Sequence, residues 1–297
     1  MPKGVLLTSN ETDQKWGLTA NFAVMLDTYP GDEYPPSYPK SKYQFSPDMG
    51  RVLTEYQLTF IAKGRGVFAC EACGRDRQME LTEGCVFILF PGEWHSYRPD
   101  PETGWTEYSI GFNGSYMDSL VANHFLSKDR PILNVKGSEN MRQMFTAAVE
   151  AAFSQHRGYQ QLIAGTLYHI LGTAYYHECN KDYSSPDIVE KMNMAKNIIE
   201  GEFATITPPE LSERLNMGYS NFRRLFKEYT GFSPAKYIIE MRILKAKELL
   251  SFTTQTVKEV SFSIGMENYD YFSVMFHART GYTPSDYRAY TRGQFHI

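Results

Sequence analysis

The nearly identical stretches YTGFSPAKY (Tyr229–Tyr237) and RTGYTPSDY (Arg279–Tyr287) decide the fold of the C-terminal part of the chain. In each, a glycine that can adopt the left-handed conformation ends one helix, and a hydroxyl residue followed by proline begins the next. Upstream of each stretch, at Thr207 and Thr256, a threonine precedes a glutamate by the spacing of a capping box. The repeat therefore predicts two helices joined by a short turn, present twice, as in a pair of helix-turn-helix modules.

The second helix of each predicted module has one face that points away from its buried aromatic residues. In the first module that face carries Ser220, Arg223, Arg224 and Lys227. The same positions of the second module hold Asp270, Ser273, Val274 and His277. Arginine can form a bidentate hydrogen bond with guanine, and lysine can neutralise a phosphate group. We therefore predict that the residues of both faces contact DNA, with the exception of Val274. A solvated helix surface is the alternative interpretation.

One long helix is predicted between the modules, because SPAKYIIEMRILKAKELL (Ser233–Leu250) keeps its apolar residues on one face. A helix of about 18 residues at about 1.5 Å each spans about 27 Å. Successive major-groove segments on one side of DNA are roughly 34 Å apart. A monomer can therefore present two recognition helices to neighbouring grooves.

With these features, Leu211 to Arg288 resembles the DNA-binding domain of AraC/XylS-type transcription regulators. The resemblance implies a sequence-specific regulator that binds double-stranded DNA, with RNA polymerase as a possible further partner and no enzyme activity. Members commonly carry arginine where this chain has Val274, and basic residues at His277 and Ala278. Base reading by the second module is therefore expected to be weaker.

The N-terminal part of the chain has the residue pattern of β-strands instead of the helical pattern of the C-terminal part. From Arg51 to Phe112, β-rich runs alternate with glycine-containing turns, which predicts a small antiparallel barrel or sandwich. Two helices should follow, broken at Arg157-Gly158. The second, Tyr159 to Glu178, is largely apolar and needs a partner surface. It forms either the interface of a homodimer or a contact with the barrel of its own chain.

The stretch GCVFILFPGEWHSYRPDPETGW (Gly84–Trp105) resembles the PGxxH segment of cupin barrels, and its continuation resembles the sugar-sensing domain of the arabinose regulator in the AraC/XylS family. That resemblance implies ligand contacts at Arg51 and Tyr97. Glu107 and Ser109 stand at contact positions but differ in residue type, so the sugar need not be arabinose.

The residues of this region also suit a sugar by their own chemistry. Flat apolar faces come from the aromatic residues Trp94, Tyr97, Trp105 and Tyr108. Hydrogen-bonding groups come from Arg51, His95 and Glu107. A pocket for a small polar ligand needs that mixture. Aromatic residues on strands more often belong to the core, which is the alternative for the two tryptophans.

Metal chemistry is the competing interpretation of the same segment. His95 could bind zinc, iron or copper, but the earlier strand LTFIAKGRG lacks the paired histidines of metal-binding cupins. Cys70 and Cys73 form a CxxC without a second such pair. We therefore expect no metal and no cofactor. A metal-dependent cupin enzyme fused to a DNA-binding tail is the alternative function.

Composition bounds the remaining possibilities. The 297-residue chain is long enough for two domains and has no apolar run of membrane-spanning length. Residues 1–190 carry 16 Lys+Arg against 23 Asp+Glu, whereas residues 191–297 carry 14 against 11. The N-terminal part is therefore acidic and the C-terminal part mildly basic, which is consistent with nucleic-acid binding by the C-terminal part. Four unevenly spaced cysteines and the absence of an export signal predict a cytoplasmic protein outside the membrane.

The predicted fold class is α+β, in three parts. Residues 1–180 form a cupin-like antiparallel β-barrel with a helical pair, which binds the effector and dimerises. Residues 181–190, which are polar, form a linker. Residues 191–297 form an all-α DNA-binding domain of two helix-turn-helix modules. The predicted function is a DNA-binding transcription regulator controlled by a small molecule, a sugar, bound in the barrel.

Overall fold

The computed structural model describes residues 3–36, 46–135, 139–180 and 186–294. The chain divides into two compact units, Met1–Asp182 and Tyr183–Ile297. Across the described residues, no helix combines the length and the apolar content needed to span a membrane.

The described part of the first unit contains nine strands that pair in antiparallel fashion around one long central strand. The strands are β1 (Lys3–Leu6), β2 (Thr19–Thr28), β3 (Arg51–Val52), β4 (Tyr56–Cys70), β5 (Gly74–Thr82), β6 (Cys85–Leu89), β7 (Trp94–Pro99), β8 (Trp105–Asn113) and β9 (Ile132–Asn134). Two short helices are α1 (Glu11–Gln14) and α2 (Ser115–Ala122). The prediction of an antiparallel β domain is confirmed.

The central strand β4 belongs to two halves of the sheet. Its first part pairs with β6 and β8, and its second part pairs with β5 and β7. Phe87 of the first half and Phe68 and Tyr97 of the second half pack in one core cluster. The two halves therefore face each other across a common space, which we call the sheet interior.

Side chains alternate along β4 between the sheet interior and the opposite face. Leu58 and Phe60 lie in the core cluster that includes the helices. Gln57, Thr59 and Ile61, at the intervening positions, lie on the interior side, where Ile61 joins the second cluster. This period of two is what β geometry requires of a strand that is covered on both faces.

Two helices cover the outer face of the sheet, α3 (Glu139–Ser154) and α4 (Tyr159–Asn180). The predicted break between them is confirmed, and Gly158 there has a φ of 85°. Ile163, Leu167 and Ile170 of α4 are fully buried in the same core as β4 and β8. Packing on the chain's own sheet therefore accounts for much of the apolar surface of α4.

The second unit consists of helices. They are α5 (Pro186–Glu202), α6 (Pro208–Arg214), α7 (Tyr219–Thr230), α8 (Pro234–Phe252), α9 (Val257–Ser263), α10 (Tyr269–Thr280) and α11 (Pro284–Thr291). Helices α6 and α7 form the first helix-turn-helix module, α9 and α10 form the second, and α8 connects them as predicted. Each module has its own core, centred on Phe222 and Phe226 in the first and on Phe272 and Phe276 in the second.

The repeated stretches act as the sequence predicted. Gly231 and Gly281 end α7 and α10 with φ of 78° and 76°. The hydroxyl groups of Ser233 and Thr283 accept hydrogen bonds from the first turns of α8 and α11. The capping box is complete only in the second module, because Glu210 of the first module binds Arg214 instead.

The predicted linker over 181–190 differs from the structure in its second half. Residues 181–185 lie outside the described residues, and residues 186–190 form the first turn of α5. Pro186 opens this helix and Asp187 lies in its first turn, both of which favour a helix start. Ile188 packs against the core of the first module. The boundaries of the functional domains stay a prediction.

Candidate DNA-reading surface and ligand site

The predicted reading face of α7 is exposed. The side chains of Ser220, Arg223, Arg224 and Lys227 lie on the solvent side of the helix. Phe222, Leu225 and Phe226 are buried on the opposite side. This division follows from the helical period, because residues three and four apart share a face.

The cations of α7 differ in how they are held. Arg224 donates to Glu228 at 2.9 Å and to Asn221 at 3.1 Å, all on the same exposed helix surface. An exposed pair of this kind is worth only about 0.3–0.5 kcal/mol, so a phosphate or a base can replace it. Within the described residues, neither Arg223 nor Lys227 forms an ion pair or a side-chain hydrogen bond.

The corresponding face of α10 differs in chemistry. Asp270, Val274 and His277 are exposed, and Val274 is 67 % accessible. Ser273 does not present its hydroxyl as predicted, because its Oγ is buried without a hydrogen-bond partner. The face therefore offers one acidic group, one imidazole and an apolar centre.

A cluster of polar side chains lies in the sheet interior. Its members are Arg51, Gln57, Thr59, His95, Tyr97, Glu107 and Ser109, and we call them the polar cluster. Six of them are more than nine-tenths buried, namely Gln57, Thr59, His95, Tyr97, Glu107 and Ser109. A polar interior of this kind is costly unless its groups are hydrogen-bonded.

Arg51 and Tyr97 lie at the centre of the polar cluster. The guanidinium of Arg51 donates to the hydroxyl of Tyr97 at 2.9 Å and to Nε2 of His95 at 3.3 Å. The side-chain amide of Gln57 donates to the Tyr97 hydroxyl at 3.3 Å and to Thr59 at 2.9 Å. Three strands, β3, β4 and β7, are thus joined through the hydroxyl of Tyr97.

Glu107 and Ser109 point into the same space from β8. The hydroxyl of Ser109 lies 2.9 Å from that of Thr59. The hydroxyl of Tyr34 donates to the Glu107 carboxyl oxygens at 3.3 and 3.4 Å. Burial raises the pKa of Glu107 to about 8, although the Tyr34 hydrogen bond and the charge of Arg51 oppose that rise. Near neutral pH this carboxyl group is therefore largely protonated.

His95 is committed to hydrogen bonds on both ring nitrogens. Its Nδ1 lies 3.1 Å from the carbonyl oxygen of Glu93, which can only accept, so Nδ1 carries the proton. Its Nε2 then accepts from Arg51. Burial, with the charge of Arg51 beside it, lowers the pKa of His95 to about 4. In the described part of the chain, no three His, Cys, Asp or Glu side chains are grouped to share a metal ion.

The two tryptophans of the predicted pocket lie on different sides of the sheet. Trp94 points outward, because His95 and Tyr97 of the same strand point inward and side chains alternate. Its Nε1 donates to the carbonyl of Met49 at 3.0 Å, and its ring lies against the guanidinium of Arg75. The predicted ligand contact at Trp94 is therefore wrong for the sheet interior.

Trp105 does lie in the interior, within reach of the polar cluster. Its ring is 5.5 Å from that of Tyr34 and 6.3 Å from that of Tyr97. The side chain is 2 % exposed, and its Nε1 is buried without a hydrogen-bond partner. An unpaired buried donor beside the cluster is a position where a ligand oxygen can bind.

Three polar-cluster contacts were missed from the sequence. Gln57 and Thr59 alternate with Tyr56, Leu58 and Phe60 along β4, and that alternation of polar and apolar residues was the available signal. Tyr34 comes from a segment without strand or helix pattern, so no local signal places it in the interior.

Comparisons with known proteins agree with both halves of this description. Residues 32–171 match the model of an AraC-like ligand binding domain, and residues 211–290 match that of a helix-turn-helix domain. The Msm operon regulatory protein of Streptococcus mutans is 23 % identical over 271 residues, covering 90 % of this chain and 93 % of that protein.

The chain is also similar to a second curated regulator and to a solved DNA-binding domain. The Lactose operon transcription activator of Staphylococcus xylosus is 26 % identical over 250 residues, covering 82 % of this chain and 88 % of that protein. The solved DNA-binding domain of AdpA in complex with a target DNA is 26 % identical with a TM-score of 0.33, covering 37 % of this chain and 96 % of that one. The chain belongs to the AraC/XylS family: it is a DNA-binding transcription regulator with an N-terminal ligand-binding domain, and it is not an enzyme.

Proposed function

We propose that this regulator responds to a sugar bound in the sheet interior by the polar cluster. The observation that carries the proposal is the combination in one buried space of a protonated carboxyl group, an arginine, hydroxyl and amide groups, and the face of Trp105. Sugars present hydroxyl groups around an apolar ring face, and this set of groups complements both.

Tyr34 supports the choice of ligand class. Its hydroxyl binds Glu107 while its ring packs edge-on against Trp105. The polar cluster thus holds a hydroxyl group attached to a six-membered ring, which is the arrangement a pyranose would offer. One relative is named as a lactose operon activator, which also favours a sugar for this chain.

A thermal-shift panel tests this proposal. A ligand that binds only the folded protein raises the free energy of unfolding, by about 2.7 kcal/mol when its concentration is one hundred times its Kd. The unfolding temperature rises accordingly. We expect at least one mono- or disaccharide to raise the melting temperature of the wild type, and the rise to shrink in Tyr97→Phe. Stabilisation by small carboxylates or apolar molecules, with no effect of any sugar, would contradict it.

For the DNA-binding side, we propose that α7 carries most of the base reading. Arg223, Arg224 and Lys227 supply three exposed cations, whereas the matched face of α10 carries Asp270, Val274 and His277. On α10 the expected contacts are those of Asp270 and His277.

We also propose that the protein forms a homodimer through the outer surface of α3 and α4. A shallow, mainly apolar groove runs there between Met144, Ala147, Leu162 and Gly165. Leu162 is 61 % exposed on the side of α4 that faces away from the sheet. Contact with RNA polymerase stays a prediction from the resemblance.

A further inference from the structure

The two helix-turn-helix modules meet at a junction built on Arg242, in the middle of the connecting helix α8. Its Nε donates to the carbonyl of Phe203 at 2.8 Å, and one terminal nitrogen donates to the carbonyl of Ala204 at 2.9 Å. Both acceptors lie in the turn that precedes the first module. The other terminal nitrogen donates to the carbonyl of Gly265 at 3.1 Å, in the turn of the second module.

Each of these bonds uses the shape of arginine. The guanidinium is a planar fork whose donors point in fixed directions, and the three acceptors here are backbone atoms with little freedom to follow a displaced side chain. Because two acceptors belong to one module and the third to the other, the fork resists rotation of one module against the other about α8.

Gly265 makes the second contact of the junction. A Cβ placed on Gly265 would lie 1.9 Å from the carbonyl oxygen of Ala204, so the two turns touch backbone to backbone. The residue has a φ of 71°, but this does not by itself demand glycine. Asn216 occupies the same position in the first module and has a φ of 51°. The comparison of the two modules thus shows that the turn accepts a residue with a side chain, whereas the backbone contact with Ala204 requires glycine at position 265.

Apolar packing joins the same turns. The ring of Phe203 packs against the core of the first module and also against that of the second. Arg279 of α10 donates to Glu240 of α8 at 2.8 Å, with both side chains partly buried, which holds the second recognition helix to the connecting helix. The modules are therefore fixed to each other on more than one side.

We propose that Arg242 and Gly265 lock the two modules into a single rigid reader, so that the operator must present its two sequence blocks at one invariant spacing. Arg242 is on this account a positioning residue, which sets the distance and angle between α7 and α10 without contacting DNA. Loosening the junction should leave each block recognised but remove the constraint on their separation.

Selection from random duplexes about three helical turns long tests this with the full-length protein. Wild type should select two blocks at one spacing. Arg242→Met keeps the aliphatic stem and removes all three donors, and it should select the same blocks at several spacings. On a duplex with about two base pairs inserted between the blocks, the affinity of the wild type should fall at least tenfold. The affinity of Arg242→Met should fall less than threefold, although its affinity for the original duplex should be lower than that of the wild type.

Matched variants separate the junction from general damage. Arg292→Met also removes arginine bonds to carbonyls, those of Leu250 and Thr253, but both lie in or next to α8 and do not join the modules. It should keep the wild-type spacing. Gly265→Ala should change the spacing, whereas Asn216→Ala, at the matched and exposed left-handed position of the first module, should not.

Circular dichroism of each variant first establishes that the helices are intact, and if Arg242→Met does not fold, Gly265→Ala against Asn216→Ala decides the matter. A single wild-type spacing, with the full insertion penalty, in a folded Arg242→Met or in Gly265→Ala would overturn the proposal. Selection of only one block by the wild type would overturn it too, and would leave DNA binding itself intact.

Discussion

Replacing Glu107 by glutamine should make the stability of the N-terminal unit less dependent on pH. Burial raises the pKa of this carboxyl from its ordinary value of 4.5 to about 8 in the folded chain. Its stabilising contribution is therefore fully present below about pH 4.5, where the group is protonated in both states, and it is lost as the pH rises towards 8. Glutamine resembles the protonated acid in shape and cannot ionise.

The size of the effect follows from linkage. Each pH unit between the two pKa values costs the wild type about 1.4 kcal/mol, so the whole interval amounts to about 5 kcal/mol. The free energies of unfolding of wild type and Glu107→Gln should be nearly equal near pH 4. They should then diverge by about 1.4 kcal/mol per pH unit, with the variant the more stable near pH 8.

The three tryptophans Trp16, Trp94 and Trp105 all lie in the N-terminal unit, so urea unfolding followed by tryptophan fluorescence reports on that unit alone. Glu80→Gln, at an exposed position of β5, serves as the control and should leave the pH slope as it is in the wild type. Parallel pH curves for wild type and Glu107→Gln would refute the reasoning, because they would mean that Glu107 is ionised in the folded protein.

Three further outcomes are expected. Arg223→Ala or Arg224→Ala should cost about 1–3 kcal/mol at the selected operator, measured by fluorescence anisotropy, and unchanged affinity in both would exclude base contacts by α7. Lys227→Ala should weaken operator and random DNA alike and reduce the salt slope by about one unit, whereas a loss confined to the operator would assign it to base reading. Leu162→Glu should convert a sedimenting dimer to a monomer while Met49→Glu does not, and a dimer that persists in Leu162→Glu would place the interface elsewhere.

The C-terminal unit was predicted well because its signals are local. The glycines, the proline after each hydroxyl residue and the apolar spacing act within a few residues of themselves, and duplication doubled the evidence at Gly231 and Gly281. The burial of the Ser273 hydroxyl escaped prediction, since the period assigns a residue to a helix face and does not fix the direction of a small side chain at the edge of that face.

The ligand site could be predicted only in part, because it depends on which side of each strand faces the interior. A shift of one residue exchanges the two faces, and in β7 Trp94 and His95 both suit a pocket, so chemistry alone could not choose between them. Tyr34 reaches the polar cluster from outside the strands, through a contact distant in sequence. Glu107 and Ser109 were predicted from the resemblance to the sugar-sensing domain, and the structure places both side chains in the sheet interior, where they contact Tyr34 and Thr59.

The most direct test of the central claim is the affinity of the full-length protein for its selected operator, with and without a saturating sugar from the thermal-shift panel. Coupling between two sites is typically worth about 1–3 kcal/mol, so the sugar should change the Kd for DNA by about 5- to 150-fold in the wild type. Tyr97→Phe keeps the ring that packs against Phe87 but removes the hydroxyl that accepts from Arg51. It should retain the sugar-free Kd for DNA and lose most of the change. An equal response in Tyr97→Phe, or no response in a wild type that demonstrably binds the sugar, would contradict the account.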